Sequence, residues 1–155
     1  MKGTAVTAPE QLCTLRLDGM LFGVDVLRVQ EVIRTQPMTV VPRAAEVVQG
    51  LINLRGQIVT AVDLRRRLLL PPRADDAPPM NVVVRTEDGP VSLLVDEIGD
   101  VIEVTDTELA APPETLRSEV ASAIAGVLKL PGELLLLLNV DRVIELPDEL
   151  TPVAG

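Results

Sequence analysis

Residues 50–65, GLINLRGQIVTAVDLR, hold the most informative pattern in this chain. Two runs of apolar and β-branched residues, which favour buried strands, flank the turn residues Arg55 and Gly56. Gly50 and Gly56 bracket the arginine, and glycine tolerates positive φ and lets a partner's backbone approach closely. The segment therefore predicts a β-hairpin that places one arginine on a rigid corner, directed outward.

The guanidinium of Arg55 is planar and carries five hydrogen-bond donors, which suits it to recognition. One interpretation is that it binds a partner molecule. The other is that it pairs with a carboxylate of its own domain, for which Glu31 is a candidate. The spacing of these residues alone does not separate the two interpretations.

Three further turn signals predict hairpins elsewhere in the chain. Asp18-Gly19, Asp88-Gly89 and Pro131-Gly132 each lie between two apolar runs. The chain also shows a weak internal repeat, in which the segments 29–34 and 50–62 resemble the segments 98–104 and 126–138. We therefore predict a mainly antiparallel β protein with enough strands for two small barrels packed side by side.

Short helices are predicted at three places, all of them next to polar capping residues or proline. They span residues 63–69 with Asp63 as the N-cap, residues 113–123, and residues 139–145 with Asn139 or Asp141 as the cap. The five leucines 134–138 are too few to cross a bilayer, and they predict a strand buried on both faces where the two barrels meet.

Composition restricts both the core and the function. Of the 155 residues 47% are hydrophobic, yet Phe22 is the only aromatic, so the core must be aliphatic. Nucleic-acid binding needs stacking aromatics and a basic surface, whereas this chain carries a net charge of −9. The N-terminus has no signal-peptide pattern and no apolar run reaches membrane-spanning length, which predicts a cytoplasmic protein without membrane insertion.

The residue types that carry most catalysis are scarce. Histidine is absent, and Cys13 is the only cysteine, so it is interpreted as a small core or interface hydrophobe. The best catalytic candidates are the adjacent carboxylates Asp75 and Asp76, in a proline-rich segment, and Asp96 and Glu97. Asp96 follows a buried strand and is expected to cap backbone amides. We predict no enzyme activity, no metal and no cofactor, and five-stranded barrels filled by their own side chains leave little room for a carried ligand.

Four blocks of the sequence resemble the CheW family, the scaffolding adaptors of bacterial chemosensory arrays. They are residues 21–33, residues 41–42 with 50–64, residues 93–101, and residues 125–127 through 137–141. The resemblance covers the chain from about Leu12 to Leu146. It implies two tandem five-stranded SH3-like β-barrels, which agrees with the strand count above.

The domain organisation expected on this basis has three parts. A disordered lead spans residues 1–11, a CheW-like domain of two interleaved barrel subdomains spans 12–146, and a flexible tail spans 147–155. The proline-rich segment 71–79 is expected to form a loop between central strands. Thr60 and Asn139 depart from the residues common in the family, and both are interpreted as scaffold variation.

The resemblance also implies partners and sites. CheW-like adaptors couple the cytoplasmic tips of methyl-accepting chemotaxis receptors to the regulatory domain of the histidine kinase CheA. The receptor-binding residues implied here are Val29, Glu31, Gly50, Asn53, Arg55 and Gly56. The kinase-binding edge implied for the first barrel includes Cys13, Val26 and neighbouring exposed apolar residues. Without the resemblance, Val29 would be interpreted as an inward-facing strand residue.

The expected function is therefore that of a non-catalytic adaptor in receptor arrays. An alternative is a CheW-like adaptor of a different pathway, such as surface motility or development, with the same fold and other partners. A leucine-rich edge also hints at weak self-association.

Overall fold

The computed structural model describes residues 9–34, 36–41, 47–74, 78–104 and 109–145. The expectations for most of the lead segment, for the tail, and for Asp75 and Asp76 fall on residues outside these ranges. Of the predicted lead, Gln11 begins the first strand, and the carbonyl oxygen of Glu10 accepts a hydrogen bond from the amide of Val104 at 2.9 Å.

Ten strands, three short α-helices and one 3₁₀ turn make up the described part of the chain. The strands are β1 (Gln11–Leu17), β2 (Met20–Asp25), β3 (Val29–Ile33), β4 (Val48–Leu54), β5 (Gln57–Asp63), β6 (Met80–Thr86), β7 (Gly89–Val95), β8 (Glu97–Glu103), β9 (Ile124–Leu130) and β10 (Glu133–Leu138). The helices are α1 (Leu64–Arg67), α2 (Ser118–Ala123) and α3 (Val140–Ile144), and the 3₁₀ turn spans Val26–Arg28.

The strands form two five-stranded sheets, as predicted. The terminal sheet has the order β8-β1-β2-β10-β9, and the central sheet has the order β3-β6-β7-β5-β4. Most pairings are antiparallel, but β10 pairs with β2 in parallel and β5 pairs with β7 in parallel. The loop after α1 connects two parts of the central sheet, and each sheet contains strands from both sides of that loop.

The two sheets are versions of one unit, which confirms the internal repeat seen in the sequence. In each sheet an edge strand lies beside a hairpin, which pairs in parallel with a second hairpin. The irregularities repeat as well. The pairing of β3 with β6 shifts register between Val29 and Glu31, and the pairing of β8 with β1 shifts at the corresponding place. Bulges of this kind twist an edge strand and discourage further pairing.

Local turn and cap chemistry was predicted well. The four hairpin turns lie where the sequence places them. Asp63 caps α1 by accepting a hydrogen bond from the amide of Arg65, and Asn139 caps α3 by accepting one from the amide of Arg142, both at 3.1 Å. The helix expected over residues 113–123 was wrong at its start, because α2 begins only at Ser118. The residues before it form a separate turn, in which the amide of Leu116 donates to the carbonyl oxygen of Pro113 at 3.0 Å.

One apolar cluster, the shared core, joins the facing sides of the two sheets. It contains Leu15, Phe22 and Leu136 from the terminal sheet together with Val82 and Leu93 from the central sheet. A second, smaller cluster fills the other side of the terminal sheet.

Strand β10 contributes to both clusters, since alternate residues of a strand point to opposite faces. Leu136 and Leu138 enter the shared core, whereas Leu135 and Leu137 enter the second cluster. The prediction that the leucine run is buried on both faces is confirmed for these four residues, but only Leu136 and Leu138 lie where the two units meet, and Leu134 is exposed.

Backbone hydrogen bonds do not close either sheet into a complete barrel among the described residues. An isolated bridge partly closes each one. Thr39, just beyond β3, exchanges two hydrogen bonds of 2.8 Å with Leu51 of β4, and Ala110 exchanges two of 2.9 Å with Val127 of β9. Each sheet therefore curls until its two edges come close together.

The chain crosses between the sheets twice, and an ion pair from a neighbouring helix anchors each crossing. At the crossing from β7 to β8, Arg65 of α1 donates to both carboxylate oxygens of Asp96 at 2.8 and 2.5 Å. At the crossing from β2 to β3, Arg28 donates to both oxygens of Asp141 of α3 at 3.3 and 2.8 Å. Arg65 and Asp141 each lie two residues after the N-cap of their helix, so the two ion pairs occupy equivalent places. Their polarity is reversed, because the helix supplies the cation at one crossing and the anion at the other.

The pair at Asp96 is the better shielded of the two. Arg73 also donates to Asp96 at 3.1 Å, and the backbone amide of Asp18 donates at 2.9 Å, which confirms the predicted capping role. Burial favours a higher pKa for Asp96, but the hydrogen bonds from Arg65, from the Asp18 amide and from Arg73 outweigh it and lower the pKa below 3.8.

Replacing Asp96 with asparagine should destabilise the fold by about 2 kcal/mol at neutral pH. Loss of one partner from a fully buried pair costs about 3 to 5 kcal/mol, and this pair retains some contact with water. Because the folded-state pKa of Asp96 is lowered, its contribution is present above about pH 3.8 and is lost as the pH falls through the lowered value.

Urea unfolding at several pH values between 6 and 2.5 would measure both effects. The Asp96→Asn variant should lose less stability on acidification than the parent protein, whereas Glu103→Gln, a change at an exposed carboxylate on β8, should behave like the parent. Equal pH dependence in the parent and the Asp96→Asn variant would contradict this assignment.

Candidate functional site

The turn between β4 and β5 presents Arg55 as the sequence predicts. Arg55 and Gly56 have φ values of 54° and 86°, and two successive positive φ values are typical of a type I′ hairpin turn. The side-chain oxygen of Asn53 accepts a hydrogen bond from the amide of Gly56 at 2.9 Å and fixes the turn. A non-glycine residue with positive φ is uncommon, so the position of this arginine is maintained against a local conformational cost.

Arg55 meets Glu31 across the open side of the central sheet. The Nη1 atom of Arg55 donates to Oε2 of Glu31 at 2.6 Å, although β3 and β4 are the opposite edges of the sheet. The hydrogen bond from Arg55 to Glu31 raises the pKa of the guanidinium further above its usual value, so the arginine stays charged. Of the two interpretations left open by the sequence, the internal ion pair is therefore present.

The two partners of this pair differ in exposure. The Arg55 side chain is 75% exposed, whereas the Glu31 side chain is only 17% exposed. The arginine therefore keeps unused donors facing solvent while one of them is held by Glu31. An arrangement of this kind can orient a guanidinium toward an outside partner without desolvating it in advance.

Val29 lies apart from this cluster. It is half-buried and packs against the shared core, and its carbonyl oxygen accepts a hydrogen bond from Arg85 at 3.0 Å. The bulge in β3 lies between Val29 and Glu31, so the two residues pair with adjacent residues of β6 and take opposite faces. The structure thus joins Glu31 with Arg55 and Asn53 with Gly56 by hydrogen bonds, and it places Val29 largely inward.

Gly50 was expected to let a partner's backbone approach, but it is buried. A Cβ atom at this position would lie 2.7 Å from the carbonyl oxygen of Thr39, so the backbone that approaches is the chain's own. Gly126 occupies the corresponding position in the terminal sheet, where a Cβ would lie 2.8 Å from the carbonyl oxygen of Ala110. Both glycines make room for the bridges that curl the sheets.

A second exposed feature is the 3₁₀ turn between β2 and β3. Asp25 accepts a hydrogen bond from the amide of Leu27 at 2.9 Å, and Val26 is half-exposed. Leu27 is 78% exposed, the largest value among the exposed large hydrophobic residues of the described chain. Both residues line a cavity of about 180 Å³ together with the start of β1.

The side chain of Cys13, which the resemblance assigned to the same edge as Val26, is not available there. Cys13 is 5% exposed and shares a face of β1 with Leu15 and Leu17, and burial raises the pKa of its thiol. Its interpretation as a small core or interface hydrophobe agrees with this placement, whereas a direct contact of its side chain with a partner does not.

Sequence reasoning missed two exposed apolar residues beside these features. Leu27 lies two residues after the cap residue Asp25, and that cap signal could have identified a surface turn at this place. Ile58 is 60% exposed and pairs in register with Asn53 next to the Arg55 turn. Its alternation with the buried Val59 could have revealed its outward orientation.

Within the described ranges, no group of three or more histidine, cysteine or acidic residues could hold a metal ion. None of the described helices is long and apolar enough to cross a bilayer.

Comparison with known proteins identifies the family. Residues 11–148 match the family model for the CheW-like domain, which is most of the chain. This chain belongs to the CheW-like family. The resemblance seen in the four sequence blocks is thereby confirmed, and the family is one of chemotaxis scaffold proteins.

Relatives named as chemotaxis proteins support the family assignment. The chemotaxis protein CheW of Bacillus subtilis (strain 168) is 28% identical over 136 residues, covering 88% of this chain and 87% of that protein. The CheW of Thermotoga maritima is 29% identical over 136 residues, covering 87% of each.

A solved structure supports the fold. The crystal structure of the scaffolding protein TtCheW from Thermoanaerobacter tengcongensis matches with a TM-score of 0.79 at 24% identity. The match covers 90% of this chain and 94% of that one. The predicted fold class, mainly β with two five-stranded SH3-like units and short helices, is therefore confirmed.

Substituting Gly50 with alanine tests its structural role in this CheW-like fold. The added methyl group would press on backbone of the 36–41 segment, and overpacking of this kind costs about 1 to 3 kcal/mol. We expect urea unfolding to show a loss of that size for Gly50→Ala and a comparable loss for Gly126→Ala. Unchanged stability in both variants would contradict the close approach described here.

Proposed function

We propose that this chain is a non-catalytic adaptor that couples the cytoplasmic tips of chemoreceptors to the regulatory domain of the histidine kinase CheA. The observation that carries the proposal is the match of residues 11–148 to a family of chemotaxis scaffold proteins. The adaptor acts in the cytoplasm, at receptor arrays. It works by binding two partners, and its chemistry is that of surfaces rather than of a reaction.

The receptor-binding surface is proposed around the β4–β5 turn. A receptor tip is a helical hairpin, and helices are recognised by an apolar strip with a few polar groups that set the register. Ile58 supplies exposed apolar area, and Arg55 supplies donors oriented by Glu31. Asn53 and Gly56 hold the turn in shape, Gly50 lets the sheet curl, and Val29 supports β3 from the core side.

The kinase-binding surface is proposed at the 3₁₀ turn. Val26 and Leu27 expose aliphatic area there, and Arg28 anchors the turn to both Asp141 and the carbonyl oxygen of Arg85. A rigidly held apolar pair is suited to a modest interface between two β domains. Cys13 supports this edge from inside the fold.

A cross-test with two variants examines this division of surfaces. The parent protein, Val26→Glu and Arg55→Ala would each be titrated by calorimetry against the CheA regulatory domain and against a soluble receptor cytoplasmic fragment of the same organism. We expect Val26→Glu to lose at least about tenfold in affinity for the kinase domain alone, because it buries an unpaired charge. Arg55→Ala should lose affinity for the receptor fragment alone.

Matched controls exclude general damage to the protein. Leu134→Glu is the control for Val26→Glu, because it places the same charge at an exposed leucine of β10. Lys129→Ala is the control for Arg55→Ala, because it removes an exposed cation from β9. Both control variants should bind like the parent. Failure of the parent to bind either partner would overturn the adaptor proposal. Loss of both partners in each folded variant would overturn the separation into two surfaces.

A further inference from the structure

The internal repeat allows the two sheets to be compared position by position. The bulged strands β3 and β8 correspond, so Glu31 in the central sheet corresponds to Asp100 in the terminal sheet. The hairpins β4–β5 and β9–β10 also correspond, so Arg55 corresponds to Pro131. The terminal sheet therefore has an acidic counterpart of Glu31 but no counterpart of the Arg55 side chain.

The proline in the second turn changes what that turn can reach. Proline is confined to negative φ, whereas Arg55 has a φ of 54°, so the two turns differ in type as well as in side chain. Gly132 alone carries positive φ in the β9–β10 turn. Neither residue of this turn has a side-chain donor that could take the place of the Arg55 guanidinium in the central sheet.

The corresponding position of the terminal sheet is open. A cavity of about 350 Å³ lies there, lined on its acidic side by Glu97, Asp100 and Glu133. Ile98, Ile102 and Leu130 are among the apolar residues that line it elsewhere. The Asp100 carboxylate has no ion pair or side-chain hydrogen bond within the described ranges, and the hydroxyl of Thr14 donates instead to the backbone carbonyl oxygen of Asp100 at 2.6 Å.

One cation already lies at the cavity but is committed elsewhere. Arg16 donates to both oxygens of Glu133 at 3.1 and 2.9 Å, and it also donates to the carbonyl oxygen of Gly19 at 3.4 Å. Three carboxylates and one guanidinium therefore line the cavity and leave it net negative. An incoming arginine would find charge complementarity at Asp100 and apolar contacts for its aliphatic stem.

We propose that this cavity, the terminal-sheet mouth lined by Glu97, Asp100 and Glu133, is a docking site for an arginine side chain presented by a partner protein. The guanidinium would pair with Asp100 as Arg55 pairs with Glu31 in the central sheet. The inference rests on the internal repeat and on the cavity, and it is independent of the two surfaces proposed above.

A titration with a minimal probe tests the site on the full-length protein. N-acetyl-arginine amide would be added to the ¹⁵N-labelled chain, with N-acetyl-citrulline amide as the uncharged isostere. We expect the arginine probe to shift the amide signals of Gly99, Asp100 and Glu133. The citrulline probe should bind at least about fivefold more weakly. The Asp100→Asn variant should lose the preference for arginine, whereas Glu103→Gln on the same strand should keep it.

Asp100 is exposed, and its carboxylate makes no ion pair or hydrogen bond within the described ranges. Its replacement should therefore leave the melting temperature unchanged, so that a change in binding can be assigned to the site. Equal shifts with arginine and citrulline, or shifts that persist in Asp100→Asn, would overturn the proposal. Shifts confined to the surroundings of Glu31 would also overturn it. Saturation of the same residues by calcium with no response to arginine would identify a metal cation as the occupant and contradict the proposed partner.

Discussion

The shared core between the two sheets is the constraint on which the rest of this structure depends. With Phe22 as the only aromatic residue, the chain must bury many aliphatic side chains against one another. Backbone hydrogen bonds close each five-stranded sheet only partly within the described ranges, so each needs the other to cover its facing side. The chain meets this need by crossing twice between the sheets, and ion pairs of reversed polarity anchor both crossings. The 3₁₀ turn and the bulged β3 lie at one of these crossings, which gives the candidate surfaces a rigid base.

Comparison of the two repeated units separates structural residues from candidate functional ones. Positions that serve the fold keep the same chemistry in both units: Gly50 and Gly126 make room for a bridge, and Asp63 and Asn139 cap the helix that follows. The turns differ, because one carries Arg55 and the other Pro131. Divergence at these hairpin turns changes the exposed surface of each unit without disturbing the shared core.

The sequence was informative wherever structure is set locally. The four hairpin turns and the cap at Asp63 follow from neighbouring residues and were predicted correctly, whereas the start of α2 and the exposure of Leu134 were not. The ion pair of Arg55 with Glu31 was named as a candidate, but spacing could not show that the sheet curls enough to bring its two edges together. Gly50 was expected to let a partner's backbone approach, but its burial depends on a segment distant in the chain, the one that contains Thr39. The burial of Cys13 agrees with its interpretation as a small core or interface hydrophobe.

The central claim is that two separate surfaces on one rigid module bind two partners at once. Analytical ultracentrifugation of this chain mixed with the CheA regulatory domain and a receptor cytoplasmic fragment, at concentrations above both dissociation constants, tests it most directly. We predict a single species that contains all three proteins and sediments faster than either binary complex. If the kinase domain and the receptor fragment instead displace one another from the chain, the two surfaces overlap and the account is contradicted.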